Sequence, residues 1–153
     1  REVISASTAH QVADLLTSVV DNGTGERASV NGYKIAAKTG TSWKYFSPEN
    51  SYEMPNGQLD PYLDKNGQRH YTSTVTGFFP AQKPELSMIV IIDDPAPIEE
   101  KFYASHVVAP LFGDIAAWSL RHYQISPFKE VQLSDNNQQA LIGPNLQEGG
   151  ESE

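Results

Sequence analysis

The chain contains, at residues 32–41, the run Gly32-Tyr33-Lys34-Ile35-Ala36-Ala37-Lys38-Thr39-Gly40-Thr41. Its first six residues alternate as a β-strand does, with Tyr33, Ile35 and Ala37 on one face and Lys34 and Ala36 on the other. We therefore predict a strand over residues 32–37 that ends at a cluster of polar and flexible residues.

This cluster, Lys38 to Thr41, has the chemistry of an anion site. Lys38 offers a positive charge, and the hydroxyls of Thr39 and Thr41 are hydrogen-bond donors. Gly40 has no Cβ, so a ligand has room to lie against the backbone. The four residues fit a carboxylate cradle beside an acyl-transfer site, and they fit equally an edge strand with a solvated lysine.

The composition narrows the class of protein. The chain has 153 residues, a net charge of −8 and no cysteine. It fits one domain or part of one, its negative charge argues against a nucleic-acid partner, and no thiol nucleophile, disulfide or cysteine-based zinc site is available. The four histidines show no metal-ligand spacing, and we expect neither a metal nor a cofactor.

The N-terminal residues predict an amphipathic helix. Thr8 and Gln11 form a candidate capping box, and Asn22-Gly23 is a stop signal. We interpret Gly23-Thr24-Gly25 as a helix end and turn rather than a phosphate loop. One face of the helix is apolar and carries Val12, Leu15, Leu16, Val19 and Val20.

Residues 43–71 are rich in proline, asparagine and glycine, which predicts a long irregular loop. Aromatic residues are interleaved with them. We expect most of these to fix the loop to the domain, and we take Trp43 and Tyr45 as candidates for a substrate-binding rim because they lie close to Thr41 in the sequence.

Two more strands and a helix follow. Residues 72–79 are β-branched and aromatic, and residues 86–92 form an apolar run typical of a strand covered on both faces. A second helix starts near Val107, with Pro110 in its first turn. The last residues, 128–153, form a polar tail that we expect to be disordered.

The predicted fold class is α+β, an antiparallel sheet flanked by helices. Short links between the later strands favour antiparallel pairing. Three strands make a thin sheet for two apolar helix faces, so we expect further strands and helices that this chain does not contain.

The ordered motifs resemble the C-terminal half of the transpeptidase domain of class B penicillin-binding proteins, over about residues 3–127. The series comprises Ile4-Ser5 with Thr8-Ala9, Gly23-Thr24-Gly25, Ala37-Lys38-Thr39-Gly40-Thr41, Gly77-Phe78-Phe79-Pro80-Ala81 and Val108-Ala109-Pro110-Leu111-Phe112. The chain departs from the family pattern at several positions, notably Ala37, Val75, Ala104-Ser105 and Ser42-Trp43.

The resemblance implies a peptidoglycan D,D-transpeptidase that β-lactams acylate. It also implies that this chain is part of a domain with the fold shared by penicillin-binding proteins and serine β-lactamases. That family uses Ser-x-x-Lys, Ser-x-Asn and Lys-Thr/Ser-Gly in this order. Only the third is present in a credible context, so the nucleophile and general base are expected on an N-terminal half of the domain that partners this chain. Lys38 and Thr41 are then the implied catalytic residues, and Thr39, Gly40, Thr41, Trp43 and Tyr45 the substrate-binding ones.

The implied partners are peptidoglycan stem peptides and β-lactam antibiotics. The implied location is the extracytoplasmic face of the bacterial membrane, with an N-terminal anchor outside this chain. Two alternatives stay open: a serine β-lactamase or D,D-carboxypeptidase of the same fold, and a non-catalytic binding relative.

Overall fold

The computed structural model describes residues 3–96 and 103–127. Three helices and five strands follow in this order: α1 (Ala6–Asn22), β1 (Ala36–Trp43), β2 (Ser51–Glu53), β3 (Leu59–Asp64), β4 (Tyr71–Phe79), β5 (Leu86–Asp93), α2 (Ala104–Val107) and α3 (Ala109–His122). The α+β class is confirmed. The tail predicted over residues 128–153 lies outside the described residues.

The main sheet has the order β1-β4-β5, and both pairings are antiparallel as expected. The register places Lys38 opposite Thr76 and Thr41 opposite Ser73. The prediction of a strand ending before Lys38 is wrong, because β1 starts at Ala36 and runs through the motif to Trp43. Lys38 to Thr41 therefore lie within a strand and inherit its alternation.

The start of β1 differs from the prediction because burial overrides simple alternation. Gly32 has a φ of +81° and lies in a turn closed by the bond from Tyr33 N–H to Val30 O, at 3.1 Å. The three residues that follow Lys34 are all buried, so Ala36 does not face solvent: Ile35, Ala36 and Ala37. Gly77 allows this close packing, since a Cβ there would lie 2.4 Å from Ala36 O.

The core lies between the sheet and α3. Ala37, Val75 and Phe79 from the sheet pack in one cluster with Phe112 and Leu120 of α3. Phe79 and Phe112 make an edge-to-face contact with ring centroids 6.0 Å apart. Pro110 stands in the first turn of α3, as predicted.

Helix α1 begins earlier than the sequence indicated. Ser5 is its N-cap, and the Ser5 hydroxyl accepts from Thr8 N–H at 3.1 Å, so the capping box of Thr8 and Gln11 is wrong. The helix ends at Asn22, as predicted. Among its apolar residues only Val20 is buried, whereas Leu15 is 69% exposed.

Strand β5 also leaves apolar surface uncovered. Its residues alternate between half-buried and exposed, and Ile89 and Ile91 are 59% and 57% exposed. The prediction of a strand covered on both faces is therefore wrong within the described residues, where only one face of β5 is packed.

The loop predicted over residues 43–71 is instead largely ordered. Strands β2 and β3 form an antiparallel hairpin, which we call the β2–β3 hairpin (residues 51–64). Phe46 N–H donates to Pro61 O at 2.8 Å, and Met54 N–H donates to Gln58 O at 2.8 Å. Several backbone groups of this segment are thus satisfied within it, which the proline and asparagine content did not indicate.

Candidate active site

Strand β1 lies at the end of the sheet, so one of its edges has no strand partner among the described residues. Lys44 N–H donates to His70 O at 2.9 Å on the side of β4. Because backbone groups of an antiparallel strand point alternately to either side, the N–H and C=O groups of Thr39, Thr41 and Trp43 point to the open edge. This edge of β1 is where an outside chain can pair with the backbone, although the carbonyl of Thr39 already accepts from Lys38 Nζ at 2.8 Å.

The two threonine hydroxyls lie on one face of β1 and are held by neighbouring segments. Thr41 Oγ1 accepts from Ala104 N–H at 3.0 Å, so its own proton remains to donate. Thr39 Oγ1 lies 2.7 Å from Thr24 Oγ1, in the turn after α1. Both hydroxyls are thus positioned by hydrogen bonds from distant parts of the chain.

Lys38 and Gly40 are exposed. Lys38 Nζ donates to Thr39 O at 2.8 Å, and it makes no ion pair within the described residues. At Gly40 an added Cβ would meet only Thr74, at 3.9 Å, so the fold itself does not require glycine there. The space above Gly40 is open to a group from outside, as the sequence predicted.

Trp43 and Tyr45 are 54% and 65% exposed, and they are joined by a residue that we had expected only to fix the loop. The Tyr62 ring contacts both edge-to-face, at centroid distances of 5.8 Å from Trp43 and 6.1 Å from Tyr45. Arg69 completes the group, with Cζ 3.9 Å from the centroid of the Trp43 ring. We call these four residues the aromatic rim.

An ionic cluster attaches the segment between β1 and β4 to the end of β5. Lys44 Nζ lies 2.7 Å from Asp93 Oδ2 and 3.5 Å from Asp94 Oδ2. His70 Nδ1 lies 2.6 Å from Asp94 Oδ1, while its Nε2 lies 3.4 Å from Asp64 Oδ2 without hydrogen-bond geometry.

These contacts shift the pKa values of the groups that make them. The hydrogen bond between Lys44 and Asp93 raises the pKa of Lys44 and lowers the pKa of Asp93. The hydrogen bond to Asp94 raises the pKa of His70. Among the described residues, no group of three or more histidines and acids is arranged to hold a metal ion.

The structure thus places five of the predicted site residues along β1 and Tyr45 two residues beyond its end. Four further residues lie beside them: Thr24, Tyr62, Arg69 and Ala104. Thr24 was visible only as part of a glycine-flanked turn, and Ala104 acts through its backbone, which no residue type reveals. Arg69 carried no motif. Its place becomes evident only from the pairing of Lys44 with His70, which brings residue 69 beside the end of β1.

Together, the α+β sheet and the polar edge strand fit one wall of an acyl-transfer site. The chain belongs to the family of penicillin-binding protein transpeptidase domains, whose model matches residues 1–117. The expected family is therefore confirmed.

Several similar proteins are named as peptidoglycan D,D-transpeptidases. The protein named "Probable peptidoglycan D,D-transpeptidase PenA" of Neisseria flavescens is 34% identical over 132 residues, which are 86% of this chain and 28% of the relative. Stage V sporulation protein D of Bacillus subtilis is 33% identical, over 95% of this chain and 20% of the relative. The peptidoglycan D,D-transpeptidase FtsI of Escherichia coli is 33% identical, over 82% and 18%.

Among solved structures, the transpeptidase domain of Burkholderia pseudomallei penicillin-binding protein 3 matches with a TM-score of 0.62 and 26% identity. The match covers 85% of this chain and 34% of that one. The chain thus spans about a fifth to a third of the proteins it matches.

Proposed function

We propose that this chain forms one wall of the active site of a peptidoglycan D,D-transpeptidase. The nucleophilic serine and its general base would belong to another part of the same domain. The observation that carries the proposal is the open edge of β1, where Thr41 presents its backbone N–H beside two oriented threonine hydroxyls.

The reaction would be an acyl transfer through a covalent intermediate. The serine attacks the peptide bond between the last two residues of a stem peptide, the terminal D-Ala leaves, and an amine of a second peptide takes the acyl group. The developing oxyanion needs two donors fixed in advance. Thr41 N–H is suited to be one, and the N–H of the serine would be the other.

The hydroxyls have a separate role in this proposal. Thr39 and Thr41 lie two residues apart on one face of β1, so both hydroxyls can face one carboxylate at the end of the donor peptide, with the proton of Thr39 available when Thr24 donates to it. Lys38 adds positive potential nearby and would hydrogen-bond the serine of Ser-x-Asn. A β-lactam carries a similarly placed carboxylate and would occupy the same site.

The N-terminal half of the domain is the proposed partner of the uncovered apolar surfaces. Ile89 and Ile91 on β5, with Val12 and Leu15 on α1, are all at least 43% exposed. Exposed apolar groups in this number favour a covering partner. We place Ser-x-x-Lys and Ser-x-Asn on that half.

The proposed location is the extracytoplasmic face of the membrane, because peptidoglycan is assembled there. Within the part of the chain that the structure describes, no helix is long and apolar enough to cross a bilayer. The proposed anchor is an N-terminal segment of the complete protein.

Replacing Lys38 tests the site assignment. In the complete transpeptidase, Lys38→Ala should lower the second-order rate of acylation by a fluorescent penicillin by roughly 10²–10³, as the loss of a preorganised electrostatic group does. Lys83→Ala is the matched control, because Lys83 is 88% exposed and lies in the turn between β4 and β5. If the rate for Lys38→Ala is within about threefold of wild type, the loss of rate is far smaller than that range and contradicts the assignment.

A further inference from the structure

Arg69 is a cation without a counter-charge among the described residues. Its guanidinium lies over the Trp43 ring at 3.9 Å, and it forms no ion pair there. Its Nη1 is closed off from solvent and has no hydrogen-bond partner. An unpaired buried donor is costly, and Arg69 as a whole is only half-buried, so an acceptor from outside that reached the guanidinium would be favourable.

The strand geometry places Arg69 on the same face as the threonine hydroxyls. Trp43 shares one face of β1 with Thr39 and Thr41, because side chains two residues apart on a strand lie on the same face. The bond from Lys44 N–H to His70 O brings residue 69 beside the end of the strand. The Arg69 side chain leans back along the strand onto Trp43. Trp43 lies two residues beyond Thr41, which is about 7 Å along an extended strand.

Judged from residues 3–96 and 103–127, β1 is open to a peptide in one direction. Before the motif, residues 35–37 are buried, whereas Gly40, Thr41, Ser42 and Trp43 are exposed. A donor peptide with its terminal carboxylate at the hydroxyls of Thr39 and Thr41 must therefore extend toward Trp43. This is the direction of a strand added antiparallel to the edge of β1. The third residue from its carboxyl end then reaches the aromatic rim.

We propose that Arg69, stacked on Trp43, is a specificity-determining residue that binds an anionic group, a carboxylate, on the side chain of the third residue from the carboxyl end of the donor peptide. The inference rests on the proposed transpeptidase function. The planar fork of a guanidinium suits a carboxylate, and stacking on the indole fixes its orientation before the peptide arrives. Tyr62 packs against Trp43 and holds the ring in place.

The test uses the complete transpeptidase and two probes that differ in one group. Both are N-acetyl peptides that end in D-Ala and a thioester of a carboxylate-bearing thiol, so thiol release reports acylation. In one, the residue before D-Ala has a side-chain carboxylate, and in the other it has the corresponding amide. The wild-type protein should show a kcat/KM about tenfold or more higher for the acid, the range expected of a hydrogen bond to a charged group.

The variant Arg69→Met should lower kcat/KM for the acid by about tenfold or more and for the amide by less than about threefold, so that the preference is lost. The variant Lys65→Met removes the same charge from the turn after β3 and should keep the preference. Should Arg69→Met also lose acylation by penicillin, Arg69→Lys, which keeps the charge, is measured instead and should retain part of the preference.

Several outcomes would overturn the inference. A wild-type protein without preference for the acid does so with no variant needed. Equal losses on both probes in Arg69→Met, with penicillin acylation intact, would show that Arg69 serves only to hold the hairpin segment. Acylation of neither probe nor penicillin by the wild-type protein would instead refute the proposed function itself.

Discussion

Thr41 joins two segments that lie far apart in the sequence. Its hydroxyl accepts from the N–H of Ala104, a residue that is only 1% exposed. The same oxygen carries the proton that we assign to the donor carboxylate. One residue therefore links the position of α2 to the chemistry at the edge of β1, and its removal should affect both.

The variant Thr41→Val tests this double role, because it keeps the β-branched shape of threonine and deletes only the hydroxyl. The buried Ala104 N–H then loses its partner, which should lower the free energy of unfolding of the complete protein by about 1–3 kcal/mol. Acylation by penicillin should slow, because carboxylate recognition weakens while the backbone N–H stays. Urea unfolding and the acylation rate measure the two effects.

The variant Thr41→Ser keeps a hydroxyl and is the control. It should retain most of the stability and most of the acylation rate. Were Thr41→Val as stable as wild type, the bond to Ala104 would be unimportant, and the positioning of the hydroxyl would need another cause.

At the scale of elements, the segment between β1 and β4 shows where the sequence failed. Prolines and asparagines indicated an irregular loop, yet the hairpin forms because its own turns satisfy the backbone. Asn56 Oδ1 accepts from Gln58 N–H at 3.0 Å, Gly57 N–H donates to Met54 O at 2.8 Å, and Gly57 adopts a φ of +80°. Such local bonds depend on side-chain geometry rather than on composition.

Strand β1 was misplaced for a different reason. Polar residues near its middle resembled a strand end, because an edge strand with one open side needs no apolar alternation there. The pairings that fix its length come from β4, and long-range register is not encoded in the motif itself. Residue types alone were nevertheless enough to single out Lys38 to Thr41 as a cluster of polar groups.

The ionic cluster that attaches the segment between β1 and β4 to the end of β5 should respond to pH. The hydrogen bond to Asp94 raises the pKa of His70 above its ordinary value of about 6.5. A raised pKa means that protonated His70 stabilises the fold fully below about pH 6.5, and that this stabilisation is lost as the pH rises through the higher folded value. Lys44, which also contacts Asp94, keeps part of the attachment above that range.

Amide exchange of residues 44–64 in the complete protein, corrected for the intrinsic rate, should therefore show weaker protection at about pH 8.5 than at about pH 6. The variant His70→Gln should remove most of this difference, and His10→Gln, on the exposed surface of α1, should keep it. Equal protection of the wild-type segment at both pH values would refute a role for His70 charge.

At the scale of the whole molecule, the sequence predicted more than the described chain can satisfy. The antiparallel pairing and the end of α1 were predicted correctly, yet β5 is packed on one face and α1 buries little of its apolar face. Apolar periodicity predicts that a surface is covered, but it does not show whether this chain or another segment covers it. Our proposal that the N-terminal half covers the second face of β5 would account for the two-sided burial that the sequence predicts.

Ile89, which is 59% exposed in the described chain, is the residue at which coverage of β5 can be tested directly. If the N-terminal half covers β5, Ile89→Glu places an unpaired carboxylate in an apolar interface of the complete protein. It should then lower the free energy of unfolding by at least about 2 kcal/mol, the scale of burying a polar group without a partner. Gln58→Glu introduces the same charge at the exposed tip of the β2–β3 hairpin and should stay within about 0.5 kcal/mol of wild type. Urea unfolding of the two variants decides the matter: equal stabilities would mean that Ile89 remains in water in the complete protein, and that the half carrying the nucleophile packs elsewhere.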